Sequence, residues 1–251
     1  MSKPLAGKRI LVTRPLHQAA TMLALLEEAG AVVCHGPVLD IVLNVSPFSK
    51  QTVIESDIAI FVSANGVRYG LQWLGELSFQ KILAIGPGTA RALAAAGYHS
   101  IHYPSGPHYN SEALLALPQL QQCMGQRIAI FSGRGGRKLL QETLEQRGAS
   151  ILKVECYQRR CPSSLPQDVL SLWQNQGFSA VICTSREGLR NLWDLLGAEA
   201  RTLLAQTQLV VISKPMLNFA KQLGYPGVPL LAENATDQGI MTALTHWTME
   251  S

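Results

Sequence analysis

A short apolar strand that runs into a serine and then into a helix occurs twice in this chain. The first copy spans 60–71 and the second spans 182–192. In each copy a serine, Ser63 or Ser185, is followed three residues later by a glycine. Two such strand-turn-helix units at a separation of roughly 120 residues are typical of a duplicated domain and not of a solenoid of small repeats.

Other segments repeat in the same order, which extends the duplication to most of the chain. Three further pairs match: 9–28 with 127–147, 83–96 with 210–223, and 110–112 with 236–238. A chain of 251 residues with 47% apolar residues can bury two ordinary cores. Short apolar strands that alternate with helices predict parallel sheets flanked by helices. The expected fold class is therefore α/β, with two related domains.

Two extended stretches, 38–45 and 151–160, do not fit a plain strand-helix unit and are interpreted as links between the domains. The block before the first link holds one strand-helix-strand unit, and the block after the second link lacks that unit. Together these two blocks complete one discontinuous domain around the middle one. The predicted division is a first domain of 1–37 plus 162–251, a second domain of 52–153, and connector strands 38–51 and 154–161.

Charge and cysteine content exclude several classes of protein. The net charge is +4, and the 21 Lys and Arg residues form no basic stripe, which argues against nucleic acid and favours a small acidic ligand. The five cysteines form no Cys-x-x-Cys pair and are odd in number, which argues against a zinc ribbon or a disulfide framework. No apolar run reaches the roughly 18 residues of a membrane span, and no signal-peptide core is found. We expect a cytoplasmic monomer that contacts no membrane.

The turns that follow the strands are the predicted ligand-binding positions, because open parallel sheets bind ligands beyond the carboxyl ends of their strands. These turns are rich in Ser, Thr, Gly and Arg, and each opens a helix whose free amides suit an anion. Lys214 is selected by its position in one of them. An alternative stays open, in which the hydroxyl groups only cap the helices. The turns are 13–14, 63–65, 86–89, 132–137, 184–186 and 213–214.

The sequence motifs of several well-known kinds of site are incomplete in this chain. The glycine-rich turn 132–137, with Glu155 about 20 residues on, suggests dinucleotide binding, but Lys138 stands where the third glycine is needed. Three histidines in the turn-like stretch 99–108 have no acid or cysteine at metal-binding spacing. The default is a site without metal or cofactor. It would belong to an enzyme, or to a two-domain binding protein that closes on a small anion.

Taken together, the turns resemble those of the uroporphyrinogen-III synthase family over nearly the whole chain. The segments that carry the resemblance are 10–15, 61–67, 84–90, 109–114, 137–149 and 155–157. The resemblance implies a lyase of tetrapyrrole biosynthesis, on the route to porphyrin and heme. Such an enzyme closes linear hydroxymethylbilane to uroporphyrinogen III with inversion of ring D and loss of water, without a cofactor. It also implies two α/β domains joined by a two-stranded β connector, with the substrate in the interdomain cleft. The substrate would be handed over by the preceding enzyme of the pathway.

The resemblance also assigns roles to individual residues. Tyr157 is the implied catalytic acid, since a phenol titrates near about 10 and is a proton donor at neutral pH. The implied substrate contacts are hydrogen bonds from Ser63, Thr89 and Ser185, and carboxylate contacts from Arg14 and Arg137. One departure stands out. Members of the family often have a Gly-Pro-x-Thr turn in both domains, whereas this chain has it at 86–89 and reads Ser-Lys-Pro-Met at 213–216.

Overall fold

The computed structural model of the chain describes residues 3–44, 50–74, 79–136 and 138–250. It divides into two compact units, of which the first is Met1–Asp40 with Arg160–Ser251 and the second is Ile41–Arg159. The elements in chain order are β1 Arg9–Val12, α1 Leu16–Glu28, β2 Val32–His35, β3 Asp40–Leu43, α2 Lys50–Ile54, β4 Ile58–Phe61, α3 Ala64–Leu74, β5 Lys81–Ala84, α4 Pro87–Ala95, β6 Ile101–His102, α5 Ser111–Leu115, β7 Arg127–Gly133, α6 Leu139–Gln146, β8 Ser150–Arg160, α7 Gln167–Gln176, β9 Ala180–Ile182, α8 Arg186–Ala205, β10 Gln208–Val211, α9 Lys214–Leu223, β11 Leu230–Leu231 and α10 Asp237–Glu250.

The first unit is built on a parallel sheet with the strand order β11-β10-β9-β1-β2. Ile10 lies opposite Val33 on one side and opposite Ala180 on the other. Successive strand residues point to opposite faces, so Ile10 and Val12 pack with α1 and α10, whereas Leu11 packs with α7, α8 and α9. Helices therefore cover both faces of this sheet, as the sequence predicts.

The second unit repeats this plan with the strand order β3-β8-β7-β4-β5-β6, in which the strands from β8 to β6 are parallel. Ala129 and Phe131 pack against α3 and α4. Ile128 and Ile130 face the other way and pack against α5 and α6. The order β8-β7-β4-β5-β6 corresponds strand by strand to β2-β1-β9-β10-β11, so the repeat found in the sequence is also a repeat of topology.

The segments expected to connect the domains include β3 and the end of β8, which are neighbours in the second sheet. The Asn44 backbone N–H donates to the Cys156 carbonyl at 3.0 Å, and its side-chain amide donates to the Glu155 carbonyl at 2.6 Å. Residues 45–49 of the expected connector lie outside the described residues. The chain passes between the units at 40–41 and 159–160.

Both copies of the repeated serine turn adopt the same local structure. The Gly66 N–H donates to Ser63 Oγ at 3.0 Å, and the Gly188 N–H donates to Ser185 Oγ at 2.9 Å. Each serine thus caps the helix that follows it. A Cβ atom on Gly66 would lie 3.0 Å from the Phe131 carbonyl oxygen, which explains a glycine in that copy.

The stretch 99–108, which the sequence indicates is turn-like, also contains a short strand: Ile101 and His102 form β6 and pair in parallel with β5. A strand of two residues at the edge of a sheet is too short to show a periodic pattern in the sequence.

Candidate functional site

The candidate residues lie just beyond the carboxyl ends of the central strands. In the first sheet the chain order reverses between β1 and β9, and β7 and β4 are the equivalent pair in the second sheet. Such switch points are where α/β sheets bind ligands. In the first unit the candidates are Arg14, Ser185 and Lys214, and in the second unit they are Ser63, Thr89 and Tyr157. Arg137 lies outside the described residues.

Tyr157 and Ser63 come together although they are far apart in the sequence. Their hydroxyl oxygens are 3.1 Å apart, a hydrogen-bonding distance. Ser63 follows β4 and caps α3, while Tyr157 lies near the end of β8, two strands away in the sheet. The Tyr157 side chain is 5% exposed, and its ring centroid lies 6.1 Å from that of Tyr69. The phenol is therefore held in a defined position by packing and by one polar partner.

A β-bulge sets the direction of the Tyr157 side chain. The pairing of β7 with β8 runs in register until Ser132 lies opposite Glu155, and then shifts so that Gly133 lies opposite Tyr157. The extra residue is Cys156. Because the bulge interrupts the alternation, Cys156 and Tyr157 are both buried in the cluster on the α3 side. Without the bulge, Tyr157 would point to the opposite face of the sheet.

The neighbouring thiol is not a candidate nucleophile. The Cys156 Sγ lies 3.5 Å from the carbonyl oxygens of Gly66 and of Ser132. Burial raises the pKa of Cys156 to about 12, so the group is a neutral thiol at physiological pH. The hydroxyl groups of Tyr157 and Ser63 remain as the candidates for acid-base chemistry in this cluster.

Thr89 belongs to the next turn along the same edge of the sheet. It lies in the first turn of α4, which follows β5, and it is 4% exposed. Gly86 precedes this helix, and a Cβ atom there would lie 2.8 Å from the Tyr109 Cβ. The turn 86–89 is thus packed closely beneath Tyr109, which leaves room only for glycine at its first position.

Arg14 is already engaged within the first unit. Its Nε donates to Thr184 Oγ1 at 3.2 Å, and its Nη1 forms an ion pair with the Asp237 carboxylate. The Arg14 carbonyl oxygen lies 2.8 Å from His35 Nε2. The resemblance implies that this guanidinium meets a carboxylate of the substrate, whereas the carboxylate that it contacts in the structure is that of Asp237.

Cationic side chains lie near the start of α8 and at the start of α9. Arg186 and Arg190 are exposed, and their guanidinium carbons lie 4.6 Å and 5.0 Å from the ring centroid of Phe219. Lys214, also exposed, is the first residue of α9, the helix that carries Phe219. Two guanidinium groups on one ring repel each other, and a bound anion would relieve that repulsion. Arg190 and Phe219 were not among the site residues predicted from the sequence, although the i, i+4 spacing of the two arginines places them on one face of α8.

Within the described part of the chain, no three His, Cys, Asp or Glu side chains are grouped so that they could hold a metal ion. No helix within the described ranges is long and apolar enough to cross a membrane. All five cysteines are free thiols.

Comparison with known protein families identifies the chain. The sequence profile of the family described as Uroporphyrinogen-III synthase HemD matches residues 20–242. This chain belongs to the uroporphyrinogen-III synthase family. The Salmonella typhimurium and Escherichia coli uroporphyrinogen-III synthases are 32% and 31% identical to it, in alignments that cover 94% of this chain and 99% of each relative. The resemblance seen in the turns is thus confirmed.

Solved structures with the same fold come from the uroporphyrinogen-III synthase family. The Helicobacter pylori uroporphyrinogen-III synthetase has a TM-score of 0.64 at 10% identity, and the match covers 96% of this chain and 99% of that chain. A mutant Thermus thermophilus synthase has a TM-score of 0.59 at 18% identity, with coverage of 98% and 100%. At such low identity the likeness concerns the fold, and it confirms the predicted α/β class.

Proposed function

We propose that this chain is a uroporphyrinogen-III synthase, a lyase of tetrapyrrole biosynthesis. It would close linear hydroxymethylbilane to uroporphyrinogen III with inversion of ring D and loss of one water molecule, without a cofactor. The observation that carries the proposal is the family match over residues 20–242. The hydrogen-bonded pair of Tyr157 and Ser63, at the carboxyl end of a parallel sheet, supports it.

In the proposed mechanism Tyr157 acts as the general acid. Its phenolic proton passes to the hydroxyl group of the substrate, the C–O bond breaks, and water leaves an azafulvene cation. Ser63 then donates its hydroxyl proton in a hydrogen bond to the phenolate, which stabilises the charge left on Tyr157. Because the Gly66 N–H already donates to Ser63 Oγ, the serine oxygen is fixed in position for this role.

The remaining steps require the protein to position the substrate more than to supply acid or base groups. The cation is attacked by the substituted carbon of ring D, which gives a spiro intermediate. Reopening and reclosure then give the inverted ring, and the proton released from the pyrrole carbon returns to the Tyr157 phenolate. The product therefore differs from the substrate by the loss of one water molecule, and Tyr157 ends in its starting protonation state. The protein must hold ring D so that direct closure without inversion is excluded.

The substrate carries an acetate and a propionate on every pyrrole, so many anionic contacts are needed. We assign these contacts to Thr89 in the second unit and to Ser185 and Lys214 in the first. The exposed Lys214 and the Arg186–Arg190 pair give the first unit a cationic surface suited to carboxylates. Arg14, which is paired with Asp237, is assigned mainly to holding the turns after β1 and β9 in place.

The proposal is tested by supplying freshly generated hydroxymethylbilane and separating the uroporphyrin isomers after oxidation. A reaction without protein measures spontaneous closure, which gives the uninverted type I isomer. The protein should give mainly type III. A protein that binds the substrate and yields only type I at the spontaneous rate would instead be a binding protein, and the proposal would be wrong.

A further inference from the structure

A second tyrosine, Tyr69 on α3, lies beside the proposed acid. Its ring centroid is 6.1 Å from that of Tyr157, and the two ring planes are tilted by 32°. Aromatic pairs attract each other at centroid separations of roughly 4.5–7 Å. Tyr69 is half-buried and packs against the cluster to which Tyr157 belongs. It takes no part in the proposed proton transfer, so its place beside the acid calls for another explanation.

Two glycines bring α3 close to the sheet and so bring Tyr69 to Tyr157. A Cβ atom on Gly66 would lie 3.0 Å from the Phe131 carbonyl oxygen, and one on Gly70 would lie 2.8 Å from the Phe131 Cδ1. Residues three and four positions apart on a helix are neighbours, so Gly66, Tyr69 and Gly70 lie on the side of α3 that meets the sheet. A larger side chain at either glycine would push this helix, and the Tyr69 ring with it, away from β7.

The Tyr69 hydroxyl holds the outer end of the ring. It donates a hydrogen bond to the carbonyl oxygen of Ile41 in β3. This strand is the neighbour of β8, and Asn44 beside it donates to the carbonyl oxygens of Glu155 and Cys156, the two residues before Tyr157. Tyr69 is thus held by α3 at one end and by β3 at the other. Its ring cannot turn away from Tyr157 without the loss of a hydrogen bond.

The orientation of the Tyr157 ring matters because a proton donor works only at hydrogen-bonding distance from the group that it protonates. A misplacement of about 1 Å can lower a rate by roughly 10²-fold. The tip of the phenol is held by Ser63, whose Oγ lies 3.1 Å from the Tyr157 hydroxyl oxygen. A hydrogen bond at the tip leaves the ring free to tilt about that point, and the Tyr69 ring occupies space into which it would tilt.

We propose that Tyr69 is a positioning residue for Tyr157. Its ring limits the orientations of the Tyr157 ring and so keeps the phenol oxygen within reach of the substrate hydroxyl group. Tyr69 acts through Tyr157 and not on the substrate. This inference rests on the proposed function, because it assigns a partner to the acid of that same reaction.

The test replaces Tyr69 in the full-length protein and measures the formation of type III uroporphyrinogen from fresh hydroxymethylbilane. Tyr69→Leu removes the ring and keeps an apolar side chain. It should lower kcat by roughly tenfold and leave KM within about twofold, since it affects the acid and not substrate binding. Tyr69→Phe keeps the ring and loses only the hydrogen bond to Ile41. It should restore kcat to within about threefold of the wild type.

Tyr98→Leu is the matched control for a loss of packing. Tyr98 is also a half-buried tyrosine that packs against the same cluster. It follows the end of α4 and precedes β6, so it lies near the amino ends of the strands, whereas Tyr157 lies near the carboxyl end of β8. Both leucine variants should lower the thermal midpoint, because each leaves space in the core. Well below both midpoints, Tyr98→Leu should keep the kcat of the wild type.

A double-mutant cycle with Tyr157→Phe separates a positioning role from an independent one. If Tyr69 acts through the phenol, then Tyr69→Leu should change kcat by less than about twofold once that phenol is absent. A residue with its own role in the reaction, or one needed only for folding, would again cause a loss of roughly tenfold.

Four results would overturn the inference: wild-type kcat in Tyr69→Leu, an equal fall of kcat in Tyr98→Leu, no recovery in Tyr69→Phe, or a loss that persists in the Tyr157→Phe background. Each can occur while the wild type still forms the type III isomer, so the proposed function would survive. Failure of the wild type to form type III would overturn the function itself.

Discussion

The Tyr157 hydroxyl lies 3.1 Å from the Ser63 hydroxyl, although 94 residues separate them in the chain. The contact depends on two local features. A serine must cap α3 directly after β4, and a bulge must turn Tyr157 towards that helix. Neither residue can leave this geometry without losing a hydrogen bond. The hydrogen bond therefore fixes the proposed acid, Tyr157, relative to β4 and α3.

Tyr157→Phe removes the proposed proton donor and keeps the ring. We expect kcat to fall by roughly 10²-fold or more, the usual loss when a general acid is removed. Stability should change by less than about 1 kcal/mol, because only one hydroxyl is lost. The measurements are kcat for type III formation and the thermal midpoint. Ser63→Ala should give a smaller loss of kcat, since it removes a positioning partner and not the donor. Full activity of Tyr157→Phe would exclude the phenol from the reaction.

Gly133→Ala tests how closely the Tyr157 ring is packed. A Cβ atom on Gly133 would lie 2.7 Å from Cε2 and from Cζ of Tyr157, closer than a Cβ atom approaches another non-bonded carbon. The ring must shift, so we expect a loss of about 1–3 kcal/mol in the free energy of unfolding and a fall in kcat together. Gly106→Ala is the control, because its Cβ would meet no atom within 4 Å and should change neither quantity. If both variants behave alike, the close packing is not what holds Tyr157.

The Arg14–Asp237 ion pair should contribute more to stability than a surface pair. The two side chains are 11% and 23% exposed, whereas Arg127 and Glu55 form a pair at 3.3 Å with 56% and 47% exposure. Arg14→Met should cost about 1–3 kcal/mol in urea unfolding, because it leaves a partly buried carboxylate without its partner. Arg127→Met should cost less than about 1 kcal/mol. Equal losses would show that burial does not distinguish the two pairs.

Glu155 should make stability depend on pH in the acid range. The hydrogen bond from Lys153 is the main cause that lowers the pKa of Glu155 below its usual 4.5, helped by the Gly135 N–H and by Arg134, while desolvation opposes it. As the pH falls, the unfolded chain is protonated at this position before the folded one. The stabilisation is therefore complete well above pH 4.5 and is lost as the pH falls through the lowered pKa.

The variant that tests this is Glu155→Gln. At pH 7 it should be less stable than the wild type by up to about 1 kcal/mol, and the difference should disappear near pH 3. Glu28→Gln, at the exposed end of α1, serves as the control for a carboxylate in the other unit. A difference that stays constant from pH 7 to pH 3 would mean that the charge of Glu155 is not responsible.

The repeat in the sequence predicts much of the architecture. Short apolar strands alternate with amphipathic helices, so the hydrophobic pattern alone distinguishes strands from helices. The matched serine turns show which segments of the two halves of the chain correspond to each other. The strand orders of the two sheets agree with that repeat. The caps Ser63 and Ser185 were also predictable, because a serine before a helix start has a simple local role.

The parts of the site that depend on distant contacts were not predictable in this way. The bulge at Cys156 leaves no mark in the local pattern, since Cys156 and Tyr157 would be read as two strand residues that alternate in direction. The partner of Arg14 is 223 residues away. These features follow from packing.

The ratio of type III to type I uroporphyrinogen formed from fresh hydroxymethylbilane tests the central claim most directly. It should be measured over time for the wild type, for Tyr157→Phe and without protein. The account predicts mainly type III with the wild type, at a rate well above spontaneous closure, and a much slower formation of type III with Tyr157→Phe. Type I alone from the wild type, at the rate seen without protein, would contradict it.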